Sequence, residues 1–148
     1  HPERISKISK RLQFQELLSA IKRFKKINFI FSSPNADPGN NKIIVMIKKF
    51  TKKNKNAFFI PSLGKNLFFS CIKHSDGIIG NSSSGIIELP TFKKGTINIG
   101  NRQHGRIKAD SIIDTNCTHI SDFWILNNKV FFHNPSIRQF IVFKSIFY

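Results

Sequence analysis

The serine-rich segment over residues 80–85 carries the clearest chemistry in the chain. It reads Gly-Asn-Ser-Ser-Ser-Gly and stands between an apolar run and a helical pattern that passes through Ile86. The first backbone N–H groups of a helix have no partner within the helix and lie at the positive end of its dipole. With serine hydroxyls and with glycines that allow close approach, the segment predicts a site for a phosphate or diphosphate. An ordinary serine N-cap on a buried helix, with nothing bound, is the open alternative.

Two further groups of polar residues follow this segment. Glu88 stands one helical turn after Ser84 among apolar neighbours, and the chain has only eight Asp and Glu residues. Its carboxylate suits the two vicinal hydroxyls of a ribose, with helix capping or an ion pair with a lysine as the alternative. Residues 100–106 read Gly-Asn-Arg-Gln-His-Gly-Arg. The planar fork of arginine suits phosphate or a carboxylate, with solvated surface arginines as the alternative.

Helical and strand-like patterns alternate along the chain and must position these groups. Apolar residues recur at three- and four-residue spacing in some stretches and form short branched or aromatic runs in others. The first pattern predicts helices over residues 12–24, 40–53, 66–73 and 118–128, with one more after the serines through Ile86, Ile87 and Leu89. The second predicts strands over residues 27–32, 57–60, 77–80, 96–99 and 111–114. This alternation predicts an α/β fold, a single Rossmann-like doubly wound parallel sheet with helices on both faces.

In open sheets of this kind, ligands bind at the carboxyl ends of the strands. Three loops therefore compete for function, over residues 32–41, 80–85 and 100–106. Residues 130–148 have a strand-like composition but no clear place in the alternation. We therefore divide the chain into a domain over residues 1–129 and a divergent C-terminal tail over residues 130–148.

Composition limits the classes of function. The chain has 24 Lys and Arg against eight Asp and Glu, a net charge of +16. This charge either binds a polyanion or reflects compositional drift toward Lys, Ile, Asn and Phe. No stretch approaches the roughly 18–20 apolar residues of a spanning helix. Cys71 and Cys117 are too few for a disulfide framework or a four-thiolate zinc site. We expect a cytoplasmic protein with no metal and no membrane partner. A nucleic-acid partner is disfavoured because the lysines are not interleaved with exposed aromatic residues.

Two longer motifs resemble a known enzyme family. IGNSSSGIIELP, followed by TINIGNRQHGRIKADSIID, is similar to the C-terminal half of the UDP-N-acetylglucosamine 2-epimerase family. The similarity is greatest to the hydrolysing branch that feeds sialic and legionaminic acid synthesis in bacteria, and it runs from His1 through PNADPG to about Asp114. The resemblance implies the C-terminal half of a glycosyltransferase-B-type architecture. It places the nucleotide sugar between two Rossmann-like domains and requires no cofactor.

The resemblance also implies roles for individual residues in binding UDP. Ser82 and Ser83 match the serines that bind the diphosphate, and Glu88 matches a glutamate that holds the ribose hydroxyls. Phe68 matches an aromatic position that lies against uracil. Leu63 matches a neighbour whose backbone reads the edge of the base.

Four more positions match residues around the sugar and the diphosphate. Arg102 occupies the arginine of the family's Arg-Gln turn. His1 matches the histidine of a His-Pro element near the sugar and is the catalytic candidate. Asn35 and Asp37 match a Pro-Asn-x-Asp element that borders the same cleft.

The complete enzyme implied by this resemblance converts UDP-N-acetylglucosamine to N-acetylmannosamine and UDP, by elimination of UDP and addition of water. The family's proton-moving acidic residues lie mainly in an N-terminal domain, which would precede His1. We therefore expect the isolated chain to be inactive, with that domain and the UDP-sugar as partners, and with homo-oligomerisation left open. The alternatives are half of a non-hydrolysing epimerase or of a related glycosyltransferase, an inactive fragment, or a basic nucleic-acid-binding domain.

Overall fold

Strand and helix alternate in the computed structural model, which describes residues 10–33, 41–100, 103–115 and 138–142. The described helices are α1 (Lys10–Lys22), α2 (Asn41–Lys53), α3 (Gly64–His74) and α4 (Ser83–Ile87), with a 3-10 helix over Leu89–Phe92. The described strands are β1 (Ile27–Ser32), β2 (Ala57–Ile60), β3 (Gly77–Gly80), β4 (Gly95–Ile99), β5 (Ile112–Thr115) and β6 (Arg138–Val142). The predicted bounds of the first three strands are confirmed, whereas the helix predicted over residues 118–128 lies outside the described residues.

One predicted helix is in fact two short ones. The sequence predicts a single helix through Leu89, but α4 ends at Ile87 and a 3-10 helix begins at Leu89. The cause is Pro90, which has no N–H to donate and whose ring clashes with the carbonyl group four residues earlier. The resulting bend leaves Glu88 at the junction of the two helices.

All described strands are parallel and form one sheet in the order β2-β1-β6-β3-β4-β5. Residues of α1 and α2 bury one face of the sheet in a cluster that includes Leu17, Ile47 and Phe29. A second cluster, which includes Ile72, Ile78 and the 3-10 helix, covers part of the other face. The predicted doubly wound α/β fold is confirmed.

The strand β6 lies at the centre of the sheet. It pairs with β1 on one side, with Ile27 opposite Arg138, and with β3 on the other, with Gly77 opposite Phe140. These five residues lie within the stretch that the sequence analysis sets apart as a tail, so that part of the stretch belongs to the sheet. The position is not readable from local pattern because it depends on pairing with two strands that are distant in sequence.

None of the helices in the described part of the chain is long and apolar enough to cross a membrane.

Candidate functional site

The serine loop joins the carboxyl end of β3 to the start of α4. Gly80, at its beginning, has a φ of 153°, a conformation that residues with side chains rarely adopt. Ser82 is the N-cap of α4, and its Oγ accepts a hydrogen bond of 3.3 Å from the backbone N–H of Ser84. The predicted cap is therefore present.

Capping does not prevent this loop from binding an anion. The cap uses Ser82 Oγ as an acceptor, so its hydroxyl hydrogen can still be donated to a ligand. Ser83, the first residue of α4, is half-buried beside it. Because α4 has only five residues, its dipole is small, and individual hydroxyl and N–H donors contribute most of any attraction for an anion.

Close packing fixes α4 on the sheet. Thr96 Oγ1 donates a hydrogen bond of 2.6 Å to the carbonyl group of Gly85. A Cβ atom on Gly85 would lie 2.8 Å from Thr96 Cγ2, closer than real contacts of this kind. Glycine is therefore required at this position, where α4 packs directly against β4.

Gln103 ties the loop that follows β4 to the serine loop. Its Nε2 donates a hydrogen bond of 2.8 Å to the backbone carbonyl of Asn81, and the two residues are only 2% and 3% exposed. Gly100 and Gly105, on either side of Gln103, have φ values of 78° and 77°, which favour glycine. The predicted loops over residues 80–85 and 100–106 are thus in direct contact. Gln103 is a further residue of the site that the sequence patterns do not single out, because it stands among polar loop residues.

Glu88 follows the last residue of α4, one helical turn after Ser84 of the serine loop. Its backbone N–H donates to the carbonyl group of Ser84 at 2.9 Å, which confirms the predicted one-turn spacing. Its side chain caps neither helix, and within the described residues no lysine forms an ion pair with it. Its Oε2 is buried and accepts no hydrogen bond from any described residue. A buried carboxylate oxygen without a donor is costly, so a ligand that brings hydroxyl donors would be stabilised here.

The two predicted base-binding residues lie in one apolar cluster. Leu63, which precedes α3, is buried in it together with Leu89, the residue that follows Glu88. Phe68, on α3, packs at the margin of the same cluster with its ring centroid 5.4 Å from that of Phe69. The structure therefore brings Leu63 and Phe68 to the side of the sheet that also carries Glu88.

The remaining predicted site residues are His1, Asn35, Asp37 and Arg102, and all four lie outside the described residues. The described part of the chain contains no group of three or more His, Cys, Asp or Glu side chains that could hold a metal ion.

A polar network lies between β4 and β5. Asn98, which is 1% exposed, donates from Nδ2 to Asp114 Oδ1 at 2.6 Å, and Lys108 Nζ donates to both carboxylate oxygens at 2.9 and 2.7 Å. Partial burial acts to raise the pKa of Asp114. Hydrogen bonds from Lys108 and Asn98, with the charges of Lys108 and His104, outweigh this effect of burial and lower the pKa of Asp114 below its ordinary value.

Burial raises the pKa of the Cys71 thiol, which favours its protonated, unreactive form.

Comparison with known proteins gives a consistent set of matches. The sequence profile of a family described as UDP-N-acetylglucosamine 2-epimerase matches residues 1–122. The polysialic acid biosynthesis protein P7 of Escherichia coli is 48% identical over 115 residues, which are 77% of this chain and 29% of that protein. The GDP/UDP-N,N'-diacetylbacillosamine 2-epimerase (hydrolyzing) of Campylobacter jejuni is 34% identical over 136 residues, which are 90% of this chain and 35% of that protein.

A third relative adds to this set. The UDP-N,N'-diacetylbacillosamine 2-epimerase (hydrolyzing) of Legionella pneumophila is 33% identical over 109 residues, which are 74% of this chain and 28% of that protein. The chain thus spans about a third of the length of these curated relatives.

Proposed function

Because this chain belongs to the UDP-N-acetylglucosamine 2-epimerase family, we propose that it is the UDP-binding half of a hydrolysing 2-epimerase. The complete enzyme releases UDP from UDP-N-acetylglucosamine and yields N-acetylmannosamine. The hydrolysing outcome is supported by the names of the Campylobacter and Legionella relatives. The family match itself confirms the resemblance carried by the serine and arginine motifs.

Glu88 gives the strongest structural support for a nucleotide site. Its Oε2 is buried and accepts no hydrogen bond from the described residues, one helical turn from a serine-capped loop. A ribose supplies two adjacent hydroxyl donors, which would satisfy this acceptor. We assign the hydroxyl groups of Ser82 and Ser83 to the diphosphate attached to that ribose.

The chemistry that this half of the site supplies is electrostatic. When UDP leaves, negative charge develops on its diphosphate, and prearranged donors that face this charge lower the barrier. We assign that role to Ser82, Ser83 and Arg102. The acid and base that move protons come, in this proposal, from an N-terminal domain of the same enzyme. The relatives are about three times as long as the part matched here, which leaves room for such a domain.

The Glu88→Gln variant tests the ribose assignment. Glutamine keeps the shape of the side chain but removes its charge, and a hydrogen bond to a charged acceptor is worth about 1.5–3 kcal/mol. We expect the affinity for UDP, measured by titration calorimetry, to fall by about tenfold or more. The affinity for 2′,3′-dideoxy-UDP should stay nearly constant, because that ligand lacks both hydroxyl groups.

A matched control separates the local effect from the loss of a charge. Asp110→Asn removes one negative charge at an exposed position in the loop before β5, and it should leave both affinities unchanged. Equal losses for UDP and its dideoxy analogue in Glu88→Gln would show that Glu88 is structural. A nucleic-acid binder would instead bind its polyanion unchanged or slightly more tightly after this substitution, with a steep dependence on salt.

A further inference from the structure

Among the described helices, positive charge is concentrated on one face of the sheet. The layer formed by α1, α2 and the turns after them, residues 11–26 and 41–56, holds eleven lysines and arginines against one glutamate, a net charge of +10. On the other side, residues 64–76 and 83–94 hold four lysines against two acidic residues, a net charge of +2. Compositional drift would add lysine to both layers alike. The asymmetry therefore points to a function for the first layer, which we call the basic layer.

The centre of the basic layer is α2. Its inner side is apolar, with Ile47 buried and Ile43, Met46 and Phe50 packed against the core. The residues exposed along its outer half are Lys42, Lys48, Lys49, Lys52 and Lys53, together with Val45 and Asn41. Within the described residues, no carboxylate lies within ion-pair distance of these lysines. The exposed side of α2 thus carries five lysines with no ion-pair partner among the described residues, together with one exposed aliphatic side chain.

Apolar grooves with lysine rims flank α2 on both sides. The groove between α1 and α2 has a volume of about 630 Å³, and its apolar lining comes from Leu18, Met46 and Phe50. Its rim carries Lys22, Lys25, Lys49 and Lys53. On the other side of α2, a groove of about 560 Å³ runs along β2 between Lys48, Lys52 and the half-exposed ring of Phe58. Each groove therefore offers cationic groups above an apolar floor.

We propose that the basic layer docks on an anionic membrane surface. Lysines near such a surface are attracted to the acidic headgroups, and each strengthens binding by about fivefold. The half-exposed Leu12 and Val45 belong to this layer, and the ring of Phe58, on the edge strand β2, lines the groove beside Lys48 and Lys52. Leu12 and Val45 enter the interface between headgroups and acyl chains, while the lysine stems lie along it. A single-stranded nucleic acid fits less well, because Leu12 and Val45 cannot stack on bases and Phe58 alone can.

Docking through the C-terminal halves of α1 and α2 leaves the serine loop free. These helices end just before β1 and β2 begin, so Lys22, Lys25 and Lys53 lie near the amino ends of the strands. The serine loop follows the carboxyl end of β3, at the opposite end of the parallel strands. Substitutions in the second half of α2 can therefore be made without altering the serine loop.

From the sequence we expect no membrane partner, because no segment is long enough to cross a bilayer. Surface docking requires no such segment. It requires charges and apolar groups on one face, and only the fold shows which lysines share a face.

The test is cosedimentation of the 148-residue chain with vesicles of phosphatidylcholine, with and without phosphatidylserine. We expect binding only to the vesicles that contain phosphatidylserine, with an affinity that falls steeply as salt is raised. The triple variant Lys48→Gln/Lys49→Gln/Lys52→Gln should bind about a hundredfold more weakly, from about fivefold at each of three positions. Val45→Ser should weaken binding further without changing its dependence on salt.

A variant of equal charge provides the control. Lys65→Gln/Lys73→Gln/Lys93→Gln removes three exposed lysines from the opposite layer, and it should bind nearly as tightly as the wild type. All six positions are exposed, and thermal melts followed by circular dichroism check that both variants fold. Absence of binding by the wild type, or equal losses in the two triple variants, would overturn the proposal. Tighter binding to a single-stranded oligonucleotide than to the vesicles would overturn it in favour of a nucleic-acid surface.

Discussion

Replacing Gln103 by leucine tests whether the hydrogen bond between the two loops holds the serine loop in place. Leucine keeps most of the volume of the side chain and removes the Nε2 donor that lies 2.8 Å from the carbonyl oxygen of Asn81. The substitution leaves this buried carbonyl group without that donor, which costs about 1–3 kcal/mol. It also removes Gln103 Oε1, which is buried without a hydrogen-bond partner in the described structure, and this partly offsets the cost.

The expected net loss in the free energy of unfolding is therefore about 1 kcal/mol. In a chain of this size, a loss of that magnitude lowers the melting temperature by roughly 2–4 °C. Urea denaturation measures the loss directly, provided that the slope of the transition is unchanged. Gln15→Leu, at an exposed position on α1, is the control and should leave the urea midpoint unchanged.

A second readout distinguishes a positioning role from a purely stabilising one. If Gln103 holds the serine loop in its binding conformation, UDP affinity measured well below the melting temperature should fall together with stability. An unchanged urea midpoint in Gln103→Leu would refute the hydrogen bond itself. A lower midpoint with unchanged UDP affinity would refute the positioning role while leaving the structural one.

Four further predictions concern other parts of the molecule. Gly85→Ala should destabilise the fold by about 1–3 kcal/mol in urea denaturation, because the new methyl group overlaps Thr96; an unchanged midpoint would contradict the close contact. The pKa of Asp114 is lowered in the folded state. The ionised carboxylate therefore stabilises the fold above about pH 4, and this stabilisation is lost as pH falls through the folded pKa. Asp114→Asn should thus lower the free energy of unfolding at neutral pH and change it very little in acid. Phe68→Ala should lower the affinity for UDP by about tenfold and narrow the preference for UDP over GDP, because stacking on a base contributes about 1–3 kcal/mol; equal affinities for UDP and GDP in the wild type would contradict the uracil assignment. The isolated chain should release no UDP from UDP-N-acetylglucosamine above a heat-treated control, since its acid and base groups are proposed to lie in another domain.

Local patterns were enough to predict most of the elements. The bounds of β1, β2 and β3 are confirmed because each is a short apolar run that polar, glycine or proline residues delimit. The break between α4 and the 3-10 helix was missed, although Pro90 marks it. The place of β6 could not be predicted at all. A strand in the middle of a parallel sheet is specified by its two neighbours, and these are distant in sequence.

The candidate site was predictable in position but not in its contacts. The loops after β3 and β4 were expected at one edge of the sheet because parallel strands place their carboxyl ends together. Gln103 carries no mark of burial in the sequence, since it stands among polar loop residues. For Glu88, the sequence left capping, an ion pair and ligand binding open. Only the geometry shows that its side chain caps neither helix and forms no ion pair with the described lysines.

The central place of β6 has a consequence for how the sheet is assembled during synthesis. Ile27 and Gly77 leave the ribosome long before their partners Arg138 and Phe140. Until then β1 and β3 expose facing edges, and unpaired edges invite pairing with other chains. The sheet is therefore closed last at its middle, through pairing between strands that are distant in sequence, and such long-range contacts slow folding. We expect nascent chains stalled before residue 138 to depend strongly on chaperones and to aggregate when none are present.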